Sequence, residues 1–321
     1  MNLINEPLVF KPVYKNYLWG GTGIAELYRR YNTPAVCAES WEISAHPDGI
    51  SVVAEGSFKG RRLDELVKEF STALIGTKAP QNDRFPLLCK IIDAKRRLSV
   101  QVHPNNGNAE LTNGQPKTEM WYVLGCDEGA SLFAGLKNGA SPESVRKALN
   151  DGGVAQQLVE LKIAPGQALF IPGGLIHAIG DGCMIYEVQQ NSNTTYRMFD
   201  WNRTDAHGNA RELHIEQSLK TIDWKLPVPE MIEPQKGNDG FHDIVSCEFF
   251  TMRKLDFEEK KELEPDGSSF ICLFAIKGDC RVEIGEHSIG LKNGSSALIP
   301  AYADKCVIES EAEASVLVTT L

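Results

Sequence analysis

Four side chains of this 321-residue chain, Gln101, His103, Glu119 and His177, are candidate ligands for a divalent metal. Gln101 and His103 sit in the run Leu98-Ser99-Val100-Gln101-Val102-His103, where apolar and polar residues alternate. Residues two apart on a strand project to the same face, so both reach one interior. Glu119 stands ahead of the mostly apolar Met120-Trp121-Tyr122-Val123, where an unpaired buried carboxylate is costly. His177 closes the segment GQALFIPGGLIH, and Pro172, Gly173 and Gly174 turn the chain sharply before it. Taken singly, Gln101 and either histidine read as packed or surface side chains, whereas Glu119 is harder to explain as core. Together, two imidazoles, a carboxylate and an amide oxygen form a borderline donor set for one ion per chain. It suits Zn²⁺, with Fe²⁺ and Mn²⁺ as other occupants.

The elements around them are mainly strands. Short apolar or alternating runs such as ISVVAEGSF, LSVQVHP, MWYVLG, ASLFAGL, ALFIPGG and MIYEVQQ are bounded by Gly, Pro, Asn and Asp, the pattern of an all-β body. A few helices interrupt it. Residues 63–75 place Leu63, Leu66, Val67, Phe70 and Leu74 on one helical face. Residues 141–149 open with Ser-Pro-Glu, a capping residue followed by proline at the first helical position. A third helix is expected over 211–221. The stretch KLPVPEMIEPQKGNDG carries three prolines and little apolar periodicity, which marks a linker. The expected division is therefore a metal-binding domain with helical insertions over 1–230 and a second β-barrel over 231–321.

An internal echo supports two related barrels. GQALFIPGGLIH and GSSALIPAYADK both run from glycine to proline at the same spacing, and both end five residues after the proline. The final position holds His177 in the first copy and Lys305 in the second, so the second barrel is expected to lack metal ligands.

Composition narrows the function. A formal net charge of −10 argues against a general nucleic-acid surface, which needs clustered Lys and Arg. A few local cations still suffice to hold a phosphorylated small molecule. No basic segment followed by an apolar run opens the chain, and no apolar stretch approaches the ~20 residues of a membrane span. A cytoplasmic protein, with no membrane association, is expected. The eight cysteines are scattered without a CxxC pair and read as reduced core residues.

The segment from Gly166 to His177 resembles the second motif of the cupins, with Gln167 where aspartate is usual. More narrowly, LLCKIIDAKRRLSVQVHP, KTEMWYVLG, PGGLIHAIG and NTTYRMFDW, with LWGG at 18–21 and AESWEIS at 38–44, resemble the type I mannose-6-phosphate isomerases in their short bacterial form. The resemblance runs from about residue 8 to 215 and more loosely through the C-terminal barrel. It implies two cupin-type, jelly-roll barrels, a zinc ion on Gln101, His103, Glu119 and His177, and an essential arginine at Arg197. It also implies interconversion of mannose 6-phosphate and fructose 6-phosphate. Two departures stand out: QVHP is followed by Asn105 and Asn106 rather than two aspartates, and Ile179 replaces the tyrosine of longer relatives.

Such an isomerisation moves a proton between two carbons and stabilises charge on the enediolate oxygens. Glu187, ten residues before Arg197, and Lys117, two before Glu119, are the acid–base candidates, after which comes a metal-bound water, with no assignment of which is the base. Arg197 offers a charged planar fork for oxyanions. Ser99, Lys90 and Trp19 are the expected substrate contacts. The alternatives are another cupin isomerase or epimerase, or a non-catalytic bicupin that binds or senses sugars.

Overall fold

Alternating runs in the sequence become strands of a mainly β protein with five short α-helices among the described residues. The structure is a computed structural model and describes residues 3–80, 82, 84–205 and 207–321. No helix among them is long and apolar enough to cross a membrane. None of the eight cysteines is in a disulfide.

The chain divides into two units that are discontinuous in sequence. One comprises Tyr14–Glu39 and Ile91–Ile232; the other comprises the segment ending at Val13, Ser40–Lys90 and Glu233–Leu321. One boundary, between Ile232 and Glu233, falls inside the proline-rich stretch. The earlier boundaries carry no composition change. They follow from pairing: Leu8–Lys11 is antiparallel to Ser296–Ile299, so an N-terminal strand groups with the C-terminal sheet. A single cut at 230/231 does not describe this arrangement.

The unit holding the candidate ligands is built on two facing sheets. In one, Ala168–Ile171, Glu119–Cys126 and Cys183–Gln190 lie side by side. In the other the order is Tyr196–Phe199, Val100–Val102, His177–Ile179, Ser131–Leu136 and Leu158–Lys162. Trp121, Val123, Leu169 and Ile185 from the first sheet pack with Leu132 and Ile179 from the second in one apolar cluster. The outer face of the second sheet is covered separately. Val100, Val102, Ala178 and Met198 pack there with Val145 of the helix Pro142–Asn150. Period-2 alternation explains the split: the valines flanking Gln101 point outward, so Ser99, Gln101 and His103 point inward.

The helices follow their sequence signals with local exceptions. Ser141 caps Pro142–Asn150, accepting from Ser144 N at 3.2 Å. The expected helix at 63–75 breaks at Ser71, whose φ of 45° leaves Leu63–Phe70 and Thr72–Ile75 as separate pieces. The third helix covers only Ile215–Thr221; Arg211, outside it, bonds Asp200, Nε to Oδ2 at 2.8 Å. The run at 50–58 yields only the two-residue strand Val52–Val53. Helix Gly23–Tyr28 had no clear sequence signal.

The other unit carries an antiparallel ten-stranded sheet. Leu273, Val282, Ile284, Leu291 and Ile308 are all buried in its apolar cluster. Lys305, at the position that echoes His177, is half exposed and pairs with Glu262 at 3.1 Å.

Candidate metal centre

Gln101, His177 and Arg197 form a row across three neighbouring strands. Gln101 is the register partner of His177 on one side and of Arg197 on the other. Directly opposed residues of an antiparallel pair share a face, so all three side chains face the interior. From the opposite sheet, Glu119 is paired with Gln189, and Trp121 with Glu187, which puts Glu119 and Glu187 on one face of that sheet.

These two faces converge. His103, Glu119 and His177 present one ligand atom each, all within 4.8 Å of one another, the one such cluster among the described residues. Glu119 Oε2 lies 3.6 Å from His103 Nε2, and Oε1 lies 3.5 Å from His177 Nε2. All three residues are buried to 1% exposure or less. Gln101 Nε2 is 3.3 Å from His177 Nε2. The amide's oxygen and nitrogen are assigned from such contacts, and turning it end for end directs its oxygen at the cluster.

Each imidazole is oriented from behind. His103 Nδ1 donates to Thr194 O at 2.8 Å, and His177 Nδ1 donates to Leu175 O at 2.8 Å. With both Nδ1 atoms protonated, both Nε2 atoms carry lone pairs toward Glu119, the tautomer a metal requires. Burial, reinforced by the Lys117 charge and only partly offset by the Leu175 hydrogen bond, pushes His177 down to about 4. Burial outweighs both the Leu175 hydrogen bond and the Glu187 charge, so the ring is neutral and available as a ligand.

The turn before His177 is fixed by its glycines. A Cβ on Gly173 would lie 2.6 Å from Pro104 O, and Gly174 has φ of 95°, which side chains strain to adopt. Gly174 N donates to His103 O at 2.7 Å, and Gly173 N donates to Thr118 Oγ1 at 3.1 Å. The Pro-Gly-Gly turn therefore clamps the residues beside His103 and Glu119 as it delivers His177.

Lys117 and Glu187 sit against the same centre. Lys117 Nζ lies 2.5 Å from Glu119 Oε2, 3.1 Å from His103 Nε2 and 3.5 Å from Glu187 Oε1. Glu187 Oε2 accepts from Trp121 Nε1 at 2.8 Å, and the Trp121 ring meets His177 edge-on at 5.3 Å. Ser99 Oγ donates to Gln101 Oε1 at 3.4 Å. Arg197 donates from Nη1 to Glu212 O at 2.8 Å, while its Nε is buried without a hydrogen-bond partner. Burial and the neighbouring Arg211 and Arg203 charges hold its pKa below the usual arginine value.

The remaining expected residues are placed differently. Trp19 is 3% exposed in the apolar cluster with Ala38 and Ile92, so its surface is spent on packing. Lys90 is buried in the other unit, one residue before the boundary in the strand Leu87–Ala94. The carbonyls of Thr194 and Leu175 went unanticipated, since a backbone acceptor has no residue-type signal.

The two segments 8–124 and 242–319 match family models described as phosphomannose isomerase type I, catalytic domain, and mannose-6-phosphate isomerase, cupin domain. The chain is 36% identical over 316 residues to mannose-6-phosphate isomerase ManA of Bacillus subtilis, covering 97% of this chain and 98% of that protein. It is 35% identical over 300 residues to the mannose-6-phosphate isomerase of Streptococcus mutans, covering 92% of each. Among solved structures, the mannose 6-phosphate isomerase from Bacillus subtilis superposes with a TM-score of 0.89 at 31% identity, over 99% of this chain and 100% of that one.

Proposed function

The chain belongs to the type I mannose-6-phosphate isomerase family, and on that premise we propose that it interconverts mannose 6-phosphate and fructose 6-phosphate using one zinc ion. The observation that carries this is the pair of imidazoles with Nδ1 committed to backbone carbonyls and Nε2 converging on Glu119. That donor set fits a divalent metal: two neutral imidazoles, a carboxylate and the Gln101 amide, in a buried interior.

Gln101, His103, Glu119 and His177 hold the ion, which when bound supplies Lewis-acid polarisation of the sugar's carbonyl and hydroxyl oxygens. The protein's own groups do the rest. Lys117 and Glu187, 3.5 Å apart, carry the proton between C1 and C2, one accepting it while the other balances the charge. Trp121 fixes Glu187 Oε2, leaving Oε1 as the carboxylate's working atom. Arg197 extends the Gln101–His177 row and steadies negative charge developing on the sugar oxygens. Ser99, beside Gln101, receives the phosphorylated end. The segment 231–321 acts as a metal-free barrel, consistent with its apolar core and the surface pairing of Lys305.

The test is a coupled assay. Zinc-loaded protein given mannose 6-phosphate should release fructose 6-phosphate, and the protein stripped by a chelator should not. Turnover of the stripped protein at the loaded rate would remove the metal from the reaction. Failure of the loaded protein on this substrate would remove the isomerase assignment.

A further inference from the structure

His103 takes its orientation from a carbonyl 91 residues away, whereas His177 takes its own from Leu175, within the turn that delivers it. His177 needs no outside brace. His103 does, and the brace converges on Ser192.

Thr194 lies in the irregular segment 191–195, between the strands Cys183–Gln190 and Tyr196–Phe199. No strand pairing holds this segment. Ser192, 1% exposed, stands in for it: its Oγ accepts from Thr194 N at 3.2 Å and donates to Gln115 O at 3.1 Å. Gln115 N in turn donates to Thr194 Oγ1 at 3.0 Å. Gln189, fully buried, directs one amide hydrogen into this segment, to Ser192 O at 2.5 Å, and the other to Gln190 O at its edge, at 2.8 Å. Gln115 also lies on the stretch that leads into Glu119. One hydroxyl therefore fixes the carbonyl behind His103 and couples it to the segment carrying the carboxylate ligand.

We propose that Ser192 is a positioning residue of the metal centre, acting through Thr194 O on His103 and through Gln115 on the approach to Glu119. The proposal rests on the metal-centre reading above. Groups that orient metal ligands from behind typically change metal affinity by about 10–100-fold when removed.

The experiment is zinc affinity by chelator competition for the wild type and Ser192→Ala, with isomerase rates at limiting and saturating zinc. Ser192→Ala should bind zinc about 10–100-fold more weakly and recover its rate at saturating zinc. A role confined to folding would lower the melting temperature of the metal-free protein and leave zinc affinity unmoved. Should Ser192→Ala not fold, Thr194→Val removes only the acceptor for Gln115 N and should shift zinc affinity in the same direction. Equal zinc affinity in variant and wild type overturns the proposal, as does a lost rate that zinc does not restore. A wild type that binds no zinc strikes the underlying metal-centre reading, a result distinguishable from either.

Discussion

Lys117 and Glu119 meet at 2.5 Å with side chains 5% and 0% exposed, and the same ammonium lies 3.1 Å from His103 Nε2. A cation thus rests against two of the four residues that would hold a metal. It balances the charge of a fully buried carboxylate, and it competes with a divalent ion for the same electrons. Removing one partner of a buried ion pair costs about 3–5 kcal/mol. Lys117→Met should therefore destabilise the metal-free protein by about that amount in denaturant titrations. Its zinc affinity should rise, because a like charge beside the ion is gone, while turnover falls with the loss of an acid–base group. Weaker zinc binding in this variant would mean that Lys117 supports the ligands rather than opposing the ion.

His177→Ala removes the imidazole whose Nε2 faces both Glu119 and Gln101. Metal analysis of the purified variant should find zinc content near zero, with activity reduced by orders of magnitude. The site sits between the two sheets, so the fold should persist, as circular dichroism would report. Full activity in a metal-free variant is the result that would end the mechanism.

Much of the centre could be read from residue types because it follows strand alternation. Val100 and Val102 pack outward with Met198, so the inward direction of Gln101 and His103 follows from their spacing alone. The Pro172-Gly173-Gly174 turn was equally plain, since only glycine tolerates its approach to Pro104. What the sequence hid was long-range or backbone-borne. Nothing in NSNTT announces that Thr194 O will orient His103. Nor does any composition change mark the grouping of Leu8–Lys11 with the C-terminal sheet, which is decided by pairing with Ser296–Ile299. Trp19 illustrates the opposite case: an aromatic near a family motif suggests a pocket wall, yet packing claims nearly its whole surface.

Arg197 offers a sharper test of chemistry without loss of metal. Its backbone pairs with Gln101, but its guanidinium is held by Glu212 O rather than by a candidate ligand. Nearby, Asp200 binds both Arg203 and Arg211. Arg203 and Arg211 are thus neutralised locally, while Arg197 Nε stays buried without a hydrogen-bond partner. Arg197→Ala should keep wild-type zinc content and lose about 10²–10³-fold in kcat, the loss typical of removing one donor to a developing oxyanion. Arg197→Lys should recover little, since an ammonium lacks the planar fork. An unchanged kcat in Arg197→Ala would make the residue structural.

The depressed pKa of His177 gives the metal-free protein a defined acid sensitivity. Its folded value is about 4, driven first by burial, against the ordinary histidine value of 6.5. Between those two values the unfolded chain binds a proton that the folded chain refuses. Stability from this residue is therefore complete above pH 6.5 and is lost as pH falls toward 4. At about 1.4 kcal/mol per unit, the loss is on the order of 3 kcal/mol. Bound zinc needs the same neutral imidazole, so it should deepen the dependence: the loaded protein gains more over the apo form at pH 7 than at pH 5. Denaturant titrations of the stripped protein across this range, repeated with His177→Gln, isolate the contribution. If wild type and variant lose stability in parallel as the solution is acidified, another group is responsible, and His177 is not held neutral by its surroundings.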